Sequence, residues 1–402
     1  MKQRAKAVFL IGLLVICTAA VFGGGQKAPG NNAQTEPDKI IVSDWAIKNK
    51  MEVYTETPGE LYELAKNEGK VVVYSLSSRA PRIKADFEKQ YPDIVVEAYN
   101  IQAAELIEKI TREYEAGIRN ADIIHIQDLD GSVYKEMVLP GKFINYYPAD
   151  ICAHIDESML TYSMPMLIEL NYWYYNKEVY PEQPISSWWD LTKPEWKGKL
   201  VMQNPLDSFE YLVNFATLIL YSDQIAAEYE KVFGKPIQLS PDCPTAGHEL
   251  IKRLADNDII FASSSDSVTE AVGVPGQKSA PLGYSASSKL RQNETNGYVL
   301  AAADMSPATS LSRQTNVYIV NEAPHPNAAK LMVRWLLGEA DGKGPGFNPW
   351  NTEGGWPVRD DVPSANSTSL AENKFWAPDP EFYYYNIPDI RDFWISLQAR
   401  RR

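Results

Sequence analysis

From Lys70 onward, short apolar runs alternate with amphipathic stretches. Val71-Val72-Val73-Tyr74 is a continuous apolar run, the signature of a strand covered on both faces. Residues 81–91 predict a helix: Pro81 suits a first turn, and Ile83 and Phe87 lie four apart on one face. Ile94–Ala98 predicts a second strand. Residues 102–117 predict a second helix, with Leu106, Ile107, Ile110 and Tyr114 on one face, and Asp122–Ile126 a third strand. Strands alternating with helices in this way predict a parallel sheet joined by crossover helices.

Beyond residue 160 the pattern loosens. Met164–Leu170 and Tyr172–Tyr175 predict long strands, and Lys199–Gln203 a further one. Helices are expected over Ser208–Tyr221, 246–257 and Asn327–Leu337, the last burying Ala328, Leu331, Met332 and Trp335. Ile259–Phe261 and Val317–Val320 read as strands. The last stretch of about sixty residues is dense in aromatics and prolines and predicts irregular packed structure with short helices.

The N-terminus adds a cellular address. Lys2, Arg4 and Lys6 precede an apolar run, Ala7–Phe22, and then Gly23-Gly24-Gly25. This is the layout of a secretory signal, and the run is shorter than the ~20 apolar residues of a spanning helix. The expected organisation is a signal peptide at 1–23 and a flexible Gly-, Asn- and Pro-rich tether at 24–44, with the mature protein outside the cytoplasm. Cys17 offers lipid attachment as an alternative, although Ile16 stands where such sites place a small residue. Cys152 and Cys243 either pair in an oxidising compartment or stay as buried thiols. A chain of 402 residues suits two lobes. Its net charge of -13 repels phosphate backbones and argues against a nucleic-acid partner.

A set of short motifs now carries a resemblance. Val73-Tyr74-Ser75 ends the first strand, Phe87-Glu88-Lys89-Gln90-Tyr91-Pro92 ends the first helix, and Ala121-Asp122-Ile123-Ile124 opens the third strand. Tyr174-Tyr175-Asn176-Lys177, Trp188-Trp189-Asp190-Leu191, Pro194-Glu195-Trp196-Lys197-Gly198-Lys199 and Ala323-Pro324-His325-Pro326-Asn327-Ala328-Ala329 follow in order. Over roughly residues 68–360 the chain resembles type 2 periplasmic solute-binding proteins of ABC importers, in the branch of the ferric-ion and other family 1 solute-binding proteins. The resemblance implies a two-lobed α/β fold of the type 2 periplasmic-binding-protein kind, with a ligand cleft between the lobes. Lobe one would comprise 45–165 and 276–337, and lobe two 166–275 and 338–402. It also implies capture of a small solute by hinge closure, delivery to a permease, a monomer, no cofactor, and no contact with the membrane except through the permease or a lipid anchor. Trp188 or Trp189 would plug into lobe two, and Gly198 would supply an unusual backbone angle at a turn.

The resemblance also directs attention to the cleft residues. Ferric members use tyrosine phenolates, often with a His or a carboxylate. Here the strand at Ile259–Ala262 is followed by Ser263-Ser264-Ser265-Asp266-Ser267, with no tyrosine. The stretch after the first strand is Ser75-Leu76-Ser77-Ser78-Arg79, with no His, and Gln127 and Asp128 follow the third strand. His125, His154, His248 and His325 show no metal-ligand spacing. The Tyr383-Tyr384-Tyr385 run stands at the wrong place for the family's iron donors and reads as packing.

Hydroxyls replace the metal donors. Ser77, Ser78 and Arg79 before a helix N-terminus suit a carboxylate or phosphate, or else are an ordinary cap beside a solvated arginine. Asp207 and Ser208 open a lobe-two helix, either as cap or as cleft contacts. The candidate ligand-binding set is therefore Ser75, Ser77, Ser78, Arg79, Gln127, Asp128, Asp207, Ser208, Ser264, Ser265 and Asp266, with a small, anionic organic solute as the expected ligand and no catalytic or metal residues. A ferric-ion receptor is the alternative. An enzyme is the remaining rival, but Cys152 and Cys243 lie in no recognisable nucleophile motif, and no Gly-rich phosphate loop or nucleophile elbow is present.

Overall fold

A computed structural model describes residues 40–51, 55–160 and 162–400. The expected signal segment, Cys17 and most of the 24–44 tether lie outside the described residues. The first strands form where the apolar runs stand. β1 (Lys70–Ser75) lies between β2 (Val95–Asn100) and β3 (Ile123–Gln127), parallel to both. The crossovers are helices Ile83–Gln90 and Ala103–Glu115. Ile83, Phe87, Leu106 and Ile110 face the sheet and are buried with Val71, Val73, Ile123 and Ile124. Helix Pro58–Ala65 precedes them behind a capping box: Glu60 N–H donates to the Thr57 hydroxyl, and Thr57 N–H donates to the Glu60 carboxylate.

The remaining strands are β4 (Phe143–Ile144), β5 (Met164–Glu169), β6 (Asn171–Asn176), β7 (Leu200–Gln203), β8 (Ile260–Ala262), β9 (Leu282–Ala286), β10 (Leu300–Ala302), β11 (Ser310–Leu311), β12 (Arg313–Val320), β13 (Gly355–Pro357) and β14 (Phe375–Trp376). They build two main sheets. The seven-stranded sheet runs β13-β5-β12-β3-β1-β2, with β4 also on β12. It is mixed, because β12 is antiparallel to both β3 and β5. The five-stranded sheet runs β10-β6-β9-β7-β8. Each sheet has its own core. The second one gathers Trp173, Trp188, Trp189, Tyr211, Leu250, Tyr284 and Trp394. Trp188 and Trp189 are both buried there, their indole N–H groups donating to the carbonyls of Ala308 and Ile225. Gly198 takes φ +68 at its turn.

Expectation and structure differ at three places. The 276–337 segment was expected in lobe one, but β9 and β10 pair in the five-stranded sheet. Buried Leu282 and Tyr284 on β9 fill its centre, between β6 and β7, and the chain returns to the seven-stranded sheet only at Ser312–Arg313. The 338–402 segment was expected in lobe two, but β13 adds an edge to the seven-stranded sheet against β5. The C-terminal stretch was expected to be irregular, yet Pro380–Arg400 is one helix of 21 residues with Pro388 inside it. Its buried residues Tyr383, Ile387, Ile390, Trp394 and Leu397 recur every three or four positions and lie in the second core.

Candidate functional site

Strand directions define the cleft. In the seven-stranded sheet the carboxyl ends of β1, β3 and β5 share one edge, because Glu169 pairs with Arg313 at the start of β12 and with Gly355 at the start of β13. In the five-stranded sheet β7, β8 and β9 are parallel, and Ala286 at the end of β9 pairs with Asn171 at the start of β6. The chain crosses between the sheets at Leu170 and at Ser312, which lie on these same edges. The carboxyl ends of the parallel strands of both sheets therefore look toward one interlobe space, the position where open α/β sheets place ligands.

The crossing is built from buried polar groups. The Arg313 guanidinium reaches Glu210 at 3.0 Å, on the first turn of helix Phe209–Leu220, and Glu169 at 3.8 Å. Burial works against its charge, but Glu210 and Glu169 outweigh burial and hold its pKa above the usual value. The Ser310 hydroxyl accepts from Asn171 N–H at 3.0 Å, and the Ser287 hydroxyl accepts from Leu170 N–H at 3.0 Å and donates to the Gly354 carbonyl. Gly354 sits at φ +82 with no room for a side chain: a Cβ would lie 2.2 Å from the Ser287 backbone.

On lobe one, the stretch after β1 divides by burial. Ser75 is fully buried, its hydroxyl 2.7 Å from His125 Nδ1 and accepting from Ser77 N–H at 3.0 Å. Burial pushes the His125 pKa down to about 3, so the ring is neutral. Ser75 thus shapes the loop from beneath, its hydroxyl engaged by His125 and Ser77. Ser77 is half-buried and accepts from Arg79 N–H at 3.2 Å and from the Trp350 indole at 3.0 Å. Ser78 is exposed. Arg79 is half-buried, and its guanidinium donates to no acceptor among the described residues. Burial lowers its pKa; Glu169 opposes that, while Arg291 and Arg82 add to it.

The residues after β3 are used internally. Gln127 donates to the Thr315 hydroxyl at 3.1 Å. Asp128 is buried and accepts from the N–H groups of Val133 and Tyr134, at 3.2 and 2.9 Å, which anchors the helical turn Val133–Val138. Burial pushes its pKa up to about 7, against the pull of those N–H groups. Asp128 is therefore engaged by backbone donors of its own loop, with its residue also lining a small cavity beside Arg313 and Tyr383.

Lobe two contributes three loops. Asp207 is exposed in the turn after β7, and Ser208 stands at the cap position of helix Phe209–Leu220 without making a side-chain cap bond. After β8, the Ser264 hydroxyl caps helix Ser265–Gly273 by accepting from Ser267 N–H at 3.0 Å. Ser265 donates to Gln203 at 2.9 Å. Asp266 pairs with Lys289 at 2.6 Å and accepts from Gln292 at 2.7 Å, and the Lys289 bond leads the lowering of its pKa. The loop after β9 was missing from the candidate set. It carries Lys289 and Arg291, and Arg291 bonds only to the Ser288 carbonyl among the described residues. Its signal in the sequence was two cations in Ser287–Arg291, masked because the strand before them was not anticipated.

Two other features lie elsewhere. A groove of about 490 Å³ separates Asp130, Ser132 and Glu136 of lobe one from Phe209 and the C-terminal helix at Tyr384 and Arg391. Lys135 to Glu381 at 3.0 Å and Tyr384 to Glu136 at 3.2 Å tie its sides. His154 meets Asp360 and Asp361 in space, a grouping that sequence spacing hides. Both ring nitrogens already face carboxylates, at 2.9 and 3.6 Å, and Arg359 pairs with Asp361 at 2.6 Å. Cys152 and Cys243 are free, and burial pushes both thiols up to about 12, so neither is a thiolate at neutral pH. No helix among the described residues is long and apolar enough to cross a membrane.

Residues 82–382 match the profile of the family described as bacterial extracellular solute-binding protein. No curated protein matches the chain at a significant level. Among solved structures, the chain is similar to iron-bound HitA from Pseudomonas aeruginosa, at 15% identity over 82% of this chain and 99% of that one, with a TM-score of 0.59. It is also similar to AfuA from Actinobacillus pleuropneumoniae with fructose-6-phosphate bound, at 18% identity over 82% and 97%, with a TM-score of 0.55. The spermidine/putrescine ABC transporter substrate-binding protein PotD from Streptococcus pneumoniae matches at 15% identity over 83% and 99%, with a TM-score of 0.55. At such identities the likeness establishes the two-lobed fold and leaves the solute open.

Proposed function

Because the chain belongs to the bacterial extracellular solute-binding protein family, whose members are the solute-binding components of ABC importers, we propose that its interlobe cleft captures a small anionic organic solute. Arg79 carries this reading: a half-buried guanidinium with no acceptor among the described residues stands at the cleft edge of lobe one. The neighbouring hydroxyls of Ser77 and Ser78 supply further donors, since Ser77 uses its oxygen only as an acceptor. Ser265 and Asp266, after β8, are the lobe-two candidates for the same solute. The similarity to an iron-bound protein, to one with fructose-6-phosphate bound and to a spermidine/putrescine transporter substrate-binding protein sets the choice of test ligands.

The protein works as a monomeric receptor, not as an enzyme. Both thiols of the described residues are held protonated, and the one hydroxyl of the β1 loop that meets an imidazole, Ser75 beside His125, is fully buried, where burial leaves the ring a weak base. It is exported, loses its N-terminal signal, and meets the membrane through its permease. A thermal-shift series with fructose 6-phosphate, citrate, spermidine and ferric ion tests the ligand class. A ligand at 100 times its Kd stabilises the folded state by about 2.7 kcal/mol, enough to raise the melting temperature by several degrees. An anionic organic probe is expected to do so. Stabilisation by spermidine alone, or by ferric ion with a tyrosinate absorption band, would overturn the proposal.

A further inference from the structure

A second arginine without an ion pair among the described residues follows a strand of the opposite lobe. Arg79 follows β1 of the seven-stranded sheet, and Arg291 follows β9 of the five-stranded sheet. One short segment ties the two loops together. Trp350 bonds Ser77 through its indole, and four residues later the Gly354 carbonyl bonds Ser287. Both guanidiniums are half-buried. Neither forms an ion pair among the described residues, whereas their neighbours do: Lys289 is neutralised by Asp266, and Arg313 by Glu210 and Glu169. Arg291 lies near enough to Arg79 to disfavour its charge, with Arg82 adding to the repulsion and Glu169 as the one nearby carboxylate. That carboxylate already faces Arg313, and Asp266, whose charge Arg291 also favours, is already paired with Lys289, so neither arginine has a carboxylate of its own among the described residues.

We propose that Arg79 and Arg291 form a two-lobe clamp for a phosphoryl head group, a phosphate ester or phosphonate, and that this dianion draws the lobes together. The inference rests on the anionic-solute reading of the same cleft and deepens it. A carboxylate is planar and offers both oxygens to one guanidinium fork. A phosphoryl group is tetrahedral, carries close to two negative charges at neutral pH, and presents separate oxygens to forks arriving from two sides. Without the anion, like charges on facing lobes resist closure. With it, each lobe gains a charge-assisted bond only in the closed form, which is the differential affinity that a closing ligand needs.

Calorimetric titrations with inorganic phosphate and glycerol 3-phosphate, in competition with acetate and citrate, test this on the wild type, Arg79→Ala, Arg291→Ala and Arg291→Gln. Small-angle scattering with saturating glycerol 3-phosphate reports closure, and circular dichroism confirms that each variant folds. Glycerol 3-phosphate is expected to bind the wild type, with acetate a poor competitor. Loss of either arginine should weaken it about tenfold or more. The radius of gyration should shrink on binding in the wild type and not in the two Arg291 variants. Unchanged affinity and closure in folded Arg291→Gln would place the anion on lobe one alone, ending the clamp while leaving the anionic-solute reading standing. Preference for citrate or acetate over both phosphoryl probes would overturn the head-group assignment. Binding of no anion at all would overturn the anionic-solute reading itself.

Discussion

The indole N–H of Trp350 donates to the Ser77 hydroxyl at 3.0 Å, and the Trp350 ring lies against His125 with centroids 5.1 Å apart. The β13 approach thus sets the height of the loop that carries Ser78 and Arg79. Replacing the indole by phenyl keeps most of the buried surface and removes that bond. Trp350→Phe is expected to destabilise the fold by about 1–2 kcal/mol and to weaken solute binding by about three- to tenfold. Urea unfolding and calorimetry measure the two effects; a destabilised protein with unaltered affinity would mean that the loop does not depend on Trp350.

Arg313 holds the crossing. It is buried, and its removal takes away the cation that both Glu210 and Glu169 face at the crossing. Arg313→Ala is expected to cost about 3–5 kcal/mol, and Arg313→Lys less, in equilibrium unfolding. A cost below about 0.5 kcal/mol, the range of an ordinary surface change, would show that the crossing does not rely on this ion pair.

His325 gives a pH signature. Its Nδ1 lies 2.9 Å from fully buried Asp122, and that hydrogen bond raises its pKa above the usual histidine range. A raised folded pKa stabilises the protein below the unfolded histidine pKa and is lost as pH rises through the folded value. The stability gap between wild type and His325→Gln should therefore be widest in mildly acid solution and shrink as pH rises above the histidine range. Thermal unfolding across that range checks it; a gap that widens with pH would contradict the assignment.

Much of this architecture was legible in the sequence because its signals were local. The valine run of β1 and the four-residue spacing of Ile83 and Phe87 announce their elements without help from the rest of the chain. β9 was not legible, since Leu282–Ala286 mixes glycine and serine with its apolar residues and owes its burial to β6 and β7 on either side. The C-terminal helix was hidden by the density of prolines and aromatics in the last stretch of about sixty residues, although Tyr383, Ile387, Ile390, Trp394 and Leu397 carry a helical period that runs through Pro388. At the site, hydroxyl-rich loops after strands were visible, but which hydroxyls are consumed was not. Ser75 and Asp128 look like Ser78 in sequence and differ only in what folds around them. Arg291 was overlooked for the same reason as the strand that positions it.

Export through the expected signal would leave a mark on the polypeptide. The basic start, apolar run and small residues at 1–25 predict that envelope material lacks at least residues 1–20. Intact-mass analysis decides this, and a full-length cytoplasmic species would contradict it. A mature N-terminus at Cys17 carrying lipid would instead support the anchor.

The central claim is that Arg79 holds the solute's negative charge. Calorimetry on wild type and Arg79→Ala, with the anionic probe that most raises the melting temperature, tests it most directly. A charge-assisted bond contributes about 1.5–3 kcal/mol, so affinity should fall roughly ten- to a hundredfold. Since the guanidinium makes no hydrogen bond or ion pair among the described residues and burial already disfavours its charge, the ligand-free stability should stay within about 0.5 kcal/mol of wild type. Unchanged affinity in a stably folded Arg79→Ala protein would contradict the account and move the site to Ser264, Ser265 and Asp266.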